Sequence, residues 1–293
     1  KTHDEIEVKS ASSIGALSSH NEILIWIICL LIASSLMLMA SRSSPLYPLN
    51  DWVDANTFFT VGKGMMRGKV PYRDLFEQKG PLLHLFYGIA SLISFKSFLG
   101  VYILDSISFS IFLFYGQKIL SLHVTRKFAL LTLPILAASI LNLRSFAYGG
   151  TAESFTLPFL MASLYYSFDY FKNLYPDPAS LKWAFIQGLL AGGVLWIKYS
   201  FLGFWLGWLA IIIVSGIINR HFRHTLKVCG LFLAGLLTPT LPWSVYFGVN
   251  GAIYDWLQTY FVINLPAYSG NHSLIDIIQI GIDSYQRHLQ FTP

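Results

Sequence analysis

From Ile23 to Ala40 the chain carries no charged side chain. A helix of that length rises about 27 Å, close to the thickness of a bilayer's hydrocarbon core. In hydrocarbon every backbone N–H and C=O must find its partner inside the chain, so a run of this kind favours a helix over any open structure. Further apolar runs lie at Ser97–Leu122, Phe128–Leu143, Ser154–Phe171, Trp183–Ile197, Phe201–Ile218 and Val228–Val249. Taken as crossings, they predict an all-α, polytopic transmembrane protein of about seven spans. Composition points the same way: only 12% of residues are charged, about half the ~25% of a soluble domain. Alternating ten-residue strands, the sign of a membrane barrel, are not seen.

Charge sets the expected sidedness. The basic residues gather at helix ends, which topology explains without a nucleic-acid partner. The segment Pro81–Phe95 is apolar but short of the ~20 residues a span needs. Read as a juxtamembrane helix, it leaves Arg126 and Lys127, Lys172 and Lys182, and Arg220, Arg223 and Lys227 on the cytoplasmic side, as the positive-inside tendency asks. Read as a crossing, it would invert them. The expected division is a cytoplasmic segment 1–22 and a transmembrane domain 23–293, with residues 41–96 as the first extracytoplasmic loop. Multi-pass insertion in a bacterial plasma membrane is the expected location. Cys29 and Cys229 sit in apolar runs and read as small core residues.

The first loop concentrates charge of both signs. Between Asn50 and Leu83 it holds Asp51, Asp54, Asp74 and Glu77 among Lys63, Arg67, Lys69, Arg73 and Lys79. Such a loop beside a bilayer is a candidate site for a charged ligand, or simply a solvated face. Asp54 to Met66 reads as a short amphipathic helix with Phe58, Val61 and Met65 on one face, ended by Gly68. Asp51 and Asp54 are spaced to share a helical face, where a pair can hold a divalent cation or supply a general base and its orienter. Asp51 reads equally well as a helix cap. Lys79, before the Gly80–Pro81 break, suits a lipid phosphate or a snorkelling anchor.

Two more polar spots are expected on the same side. Glu153 opens a run behind Gly149–Gly150, either as a functional acid or as a favourable charge at a helix N-terminus. Lys198 closes the glycine-rich run GLLAGGVLWIK and is a functional candidate, because an ionisable group at such depth costs free energy unless paired. Asp105, inside Ser97–Leu122, reads as a proton-path residue or as a hydrogen-bonding tie between helices.

The order of these pieces resembles the GT-C type membrane glycosyltransferases, in particular the bacterial branch related to protein O-mannosyltransferases and aminoarabinose transferases. The likeness rests on Asp54, Gly68-Lys-Val-Pro-Tyr-Arg-Asp74, Lys79-Gly-Pro-Leu82, Glu153 and Lys198. It implies transfer of a sugar from a polyprenyl-phosphate donor to an extracytoplasmic acceptor, with inversion. Asp54, or Asp51, would match the base. Lys79, Lys198 and Arg73 would meet the donor phosphate. Glu153, Asp74 and Glu77 would serve the acceptor or a divalent metal cation. The chain departs from those enzymes in having Val53 before Asp54, Gly80 where a second proline is common, and a shorter length. The last of these predicts the first portion of a longer enzyme. From another class, a transporter or lipid-linked-sugar flippase would draw on Asp105 and the Lys198 region. A silent scaffold that binds a lipid-phosphate sugar is a third reading.

Overall fold

A computed structural model describes residues 3–264, together with residue 279. The described chain is helical, with one isolated bridge between Pro71 and Leu75. α1 (His3–Ala40) leads into the first loop, which contains α2 (Val53–Met65) and α3 (Pro81–Ile93). Then come α4 (Leu99–Ser121), α5 (Arg126–Leu141), the single turn α6 (Arg144–Ala147) and α7 (Ala152–Asn173). α8 (Leu181–Lys198) passes through a 3₁₀ turn, Tyr199–Leu202, into α9 (Gly203–Ile218). α10 (Phe222–Leu237), α11 (Thr240–Val249), α12 (Ile253–Leu257) and a π-helical stretch, Gln258–Ile263, complete the described order. The apolar segment Ile275–Ile282, which closes the sequence before its polar end, falls outside the described residues apart from 279.

The expectation of seven spans is corrected to four stretches, among the described residues, long and apolar enough to cross a membrane. They are Asn21–Ala40, Leu99–Ser121, Leu181–Ile218 and Phe222–Val249, of 20, 23, 38 and 28 residues. Three physical reasons account for the difference. α5 is only 16 residues long. α7 has the length, 22 residues, but Glu153, Asp169 and Lys172 and its many hydroxyl side chains make it too polar. The runs at Trp183–Ile197 and Phe201–Ile218 join into one continuous apolar stretch. Within that stretch α9 folds back on α8: Trp205 Nε1 donates to Gln187 Oε1 at 3.1 Å. α3, at 13 residues, is too short to cross.

The glycine-rich run in α8 is explained by a close helix contact. A Cβ on Gly188 would lie 2.1 Å from the Phe232 carbonyl oxygen, and one on Gly235 would lie 2.2 Å from that of Phe185. Helices in an apolar medium gain mainly from dispersion at such close approach. At one end of the bundle Glu22 pairs with Lys118 and Arg126, both at 3.0 Å. At the other, the end of α1 meets the α6–α7 turn, where the Arg42 N–H donates to the Ala147 carbonyl at 3.1 Å. The first loop, the α6–α7 turn and the C-terminal end of α8 therefore share one end of the bundle.

Candidate functional site at the first loop

The site is built where α2, α3, α7 and α8 meet over one apolar cluster. Phe58, Leu83, Tyr87, Ala152, Phe155 and Ile197 are all buried there. α2 begins at Val53 behind Trp52, and no side chain caps it. Asp51 lies outside the helix, so the expected shared face for Asp51 and Asp54 does not form, and Asp51 is not the cap either. Asp51 pairs instead with Arg42, whose hydrogen bond and charge hold the carboxyl below the usual aspartate range. Arg42 also lies 5.1 Å over the Tyr148 ring, which stacks on Trp52 at 5.2 Å.

Asp54 is exposed in the first turn of α2. Among the described residues it has no ion-pair or hydrogen-bond partner. Burial raises the Tyr87 phenol, and the charges of Asp105 and Asp54 push it further. Beside Asp54, an open groove of about 410 Å³ runs past Asp51, Asn56, Thr57, Thr60 and Phe76.

The two lysines of the sequence pattern flank one backbone joint. The Gly80 N–H donates to the Ile197 carbonyl at 3.1 Å. A Cβ on Gly80 would lie 2.0 Å from the Trp196 carbonyl oxygen, so only glycine lets the loop come this close. Lys79 and Lys198 each adjoin that joint in sequence. Pro81 then opens α3, as its fixed φ favours. Lys198 Nζ lies 2.5 Å from Glu153 Oε1, with both side chains about 30% exposed, at 30% and 28%. A pair this open contributes about 1 kcal/mol or less to stability, so its placement reads more naturally as local organisation than as a structural staple. Glu153 sits in the first turn of α7, where Thr151 accepts the Ser154 N–H at 3.1 Å.

The turn before α7 is held tightly. Gly149 and Gly150 both have positive φ, 70° and 73°. Asp105 accepts the Gly150 N–H at 2.6 Å and the Ser154 hydroxyl, while the Tyr87 hydroxyl donates to the Gly150 carbonyl at 2.8 Å. Asp105 thus ties α4 to the turn that carries Glu153.

The remaining acids of the loop brace it. Asp74 accepts from Arg73 Nε at 2.9 Å and from the Val70 N–H at 2.8 Å, and these bonds bring its pKa down to about 2. Arg73 also donates to the Asn250 carbonyl at 2.5 Å, so it is engaged away from Lys198. Glu77 takes the Lys79 N–H at 2.6 Å and lies 3.2 Å from the buried His84 Nε2. Burial pushes Glu77 upward, but the His84 contact and charge, with the Lys79 N–H and ammonium, bring it below the ordinary glutamate range. Neither ring nitrogen of His84 completes a well-aligned hydrogen bond. Tyr72 donates to the Lys79 carbonyl at 2.7 Å from a left-handed backbone, φ 70°, a conformation that costs an L-residue about 1–2 kcal/mol. The grip of Tyr72 and Glu77 on the Lys79 backbone, with His84 behind Glu77, is not evident from the sequence. A lone histidine in the first turn of an apolar helix was the available signal. Among the described residues no three His, Cys, Asp or Glu side chains gather as metal ligands.

Below this edge lies an apolar cavity of about 390 Å³, lined by Phe86, Leu104, Ile111, Phe155, Phe159 and Leu190. It opens two residues along α7 from Glu153, so a polar rim stands over an apolar chamber.

Fold and site together define an all-α membrane protein with a charged, loop-built rim at one end of its helices. The chain belongs to the family described as "Putative competence-induced protein Ccs4 N-terminal domain", which matches residues 17–227. This corrects the resemblance to GT-C type glycosyltransferases drawn from the short motifs, since no glycosyltransferase family matches. No curated protein and no solved structure matches the chain.

Proposed function

We propose that this protein is a membrane glycosyltransferase, moving a sugar from a polyprenyl-phosphate donor to an acceptor on the extracytoplasmic face. The proposal rests on site geometry and not on family. The observation that carries it is the Gly80–Ile197 joint: Lys79 and Lys198 adjoin it in sequence, Lys198 pairs with Glu153, and Phe155, two residues on from Glu153, lines an apolar cavity. A lipid phosphate fits that combination: cations for the head, an apolar chamber for the first units of the tail.

The chemistry follows from the placement. The acceptor hydroxyl attacks the anomeric carbon as the bond to the donor phosphate breaks. Its proton passes to Asp54, the one acid of the rim with no partner among the described residues. The polyprenyl phosphate leaves with its charge met by Lys79 and Lys198, where negative charge develops. Glu153 holds Lys198 in position and is itself available to the acceptor. The open groove along α2, with Asn56, Thr57 and Thr60, provides hydroxyl and amide partners for a polar acceptor. A divalent cation would have to draw its ligands partly from the acceptor or donor, since the loop's acids are otherwise paired.

The test is transfer in liposomes from a panel of radiolabelled polyprenyl-phosphate sugars, comparing the native protein with Lys198→Gln. Labelled product from the native protein, reduced at least a hundredfold in the variant, supports the proposal; loss of one preorganised charge contact costs on the order of a hundredfold in rate. Equal transfer by both, or none from any donor, overturns it.

A further inference from the structure

Three cations of the first-loop end pair with acids: Arg42 with Asp51, Arg73 with Asp74 and Lys198 with Glu153. Lys63 and Arg67 are different. Lys63 stands in the last turn of α2 and Arg67 in the turn that follows it, and neither has an acidic partner among the described residues. Both are laid against aromatic rings. Lys63 Nζ lies 3.8 Å from the Phe59 ring centre and 4.7 Å from that of Phe95, and Arg67 Cζ lies 4.3 Å from Phe95. Burial, and then the charge of Arg67, lower the Lys63 pKa. Two cations crowded over one ring, with no counter-charge, form a cradle for an anion.

The surroundings say which anion. Phe95 follows α3, whose last residues, Leu92 and Ile93, are 72% and 48% exposed, and Phe95 itself is 43% exposed. Three residues after Lys96 begins α4, a stretch able to cross the membrane. The cradle therefore sits on an apolar rim at the mouth of a candidate span, the depth at which bilayer headgroups lie. A soluble anion would make no use of that rim; a lipid uses both parts.

We propose that Lys63 and Arg67, seated on Phe59 and Phe95, bind the phosphate headgroup of an anionic bilayer lipid whose acyl chains lie along Leu92, Ile93 and Leu99. This site is separate from the Lys79–Lys198 joint and does not depend on sugar transfer.

The test is lipid retention by the full chain in detergent, read by native mass spectrometry during titration with phosphatidylglycerol or phosphatidylcholine. The native protein should retain one phosphatidylglycerol in preference to phosphatidylcholine. Lys63→Gln with Arg67→Gln should weaken retention on the order of thirtyfold, taking about fivefold from each cation near a membrane surface. Lys63→Arg with Arg67→Lys keeps the charges and should keep the lipid. Phe95→Ala should weaken retention with both charges in place, which keeps the test decisive if the double glutamine variant fails to fold. Unchanged retention in the glutamine and alanine variants overturns the proposal. So does equal retention of phosphatidylcholine, or full displacement by millimolar inorganic phosphate, which would mark a site for free anions.

Discussion

Gly80→Ala probes the joint on which the site depends. The Gly80 backbone, φ −69° and ψ 152°, is open to any residue, so alanine pays no conformational penalty there. The cost is contact. The new Cβ would stand 2.0 Å from the Trp196 carbonyl oxygen, 2.3 Å from its carbon and 2.9 Å from the Ile197 nitrogen. All three are backbone atoms, so no rotamer change relieves the clash. To reach ordinary contact the loop must retreat by about 1 Å or more. That movement stretches the 3.1 Å Gly80–Ile197 hydrogen bond beyond useful length. Overpacking of about 1–3 kcal/mol and loss of about 1 kcal/mol from the hydrogen bond give a destabilisation of about 2–4 kcal/mol. The control is Gly68→Ala. Gly68 has φ 81° but open space around its Cβ position, so alanine costs only backbone strain there, about 1 kcal/mol. Thermal unfolding of both variants in detergent should place Gly80→Ala well below Gly68→Ala, and transfer should fall only in the former. A Gly80→Ala protein that melts with the wild type, or above Gly68→Ala, would refute the reasoning.

Other outcomes follow from the same geometry. Gly150→Ala combines φ 73° with a Cβ 2.5 Å from Val101 Cγ1 and 2.6 Å from the Tyr87 hydroxyl; it should destabilise more than Gly68→Ala, read by the same melts. Asp74, with its pKa brought from 3.8 to about 2, favours the folded loop above pH 4, and that contribution is lost as pH falls from about 4 to 2. The protection factor of the Val70 amide, which donates to Asp74, should fall over that window in the native protein once the intrinsic pH dependence of exchange is divided out, while Asp74→Asn should be less protected at neutral pH and show no such acid step. Glu153→Gln leaves Lys198 without its half-exposed partner; the melting temperature should barely move, consistent with about 1 kcal/mol or less, while transfer drops severalfold or more.

The helices were legible because punctuation and pattern agree. Asp54–Met66 was expected and Val53–Met65 is found; Ser97–Leu122 was expected and Leu99–Ser121 is found. In both places charged residues or Gly and Pro mark the ends. The number of crossings is overcounted from the sequence, because Phe128–Leu143 and Trp183–Ile197 read as crossings at 16 and 15 residues, short of the ~20 a span needs. α5 stops at 16 residues, and α7 carries too many polar groups. Pairings were also hidden, since Arg42 with Asp51 and His84 with Glu77 are tertiary and leave no periodic trace. The motif likeness misled for a physical reason. A glycine that must approach Trp196, a proline that opens α3 and a lysine at the surface produce K-G-P-L in any chain with this joint. Short motifs of that origin are shared across families, and here the family is a different one.

The most direct measurement separates donor binding from turnover in Asp54→Asn. Asp54 touches no partner among the described residues, so the substitution should leave the melting temperature and the Lys79–Lys198 joint unchanged. Polyprenyl-phosphate-sugar binding by the reconstituted protein should therefore persist, while transfer to acceptor falls by about a hundredfold or more, as expected for loss of a general base. Transfer at the native rate with binding intact would contradict the account, and would move the base to another acid of the rim or the protein out of this class.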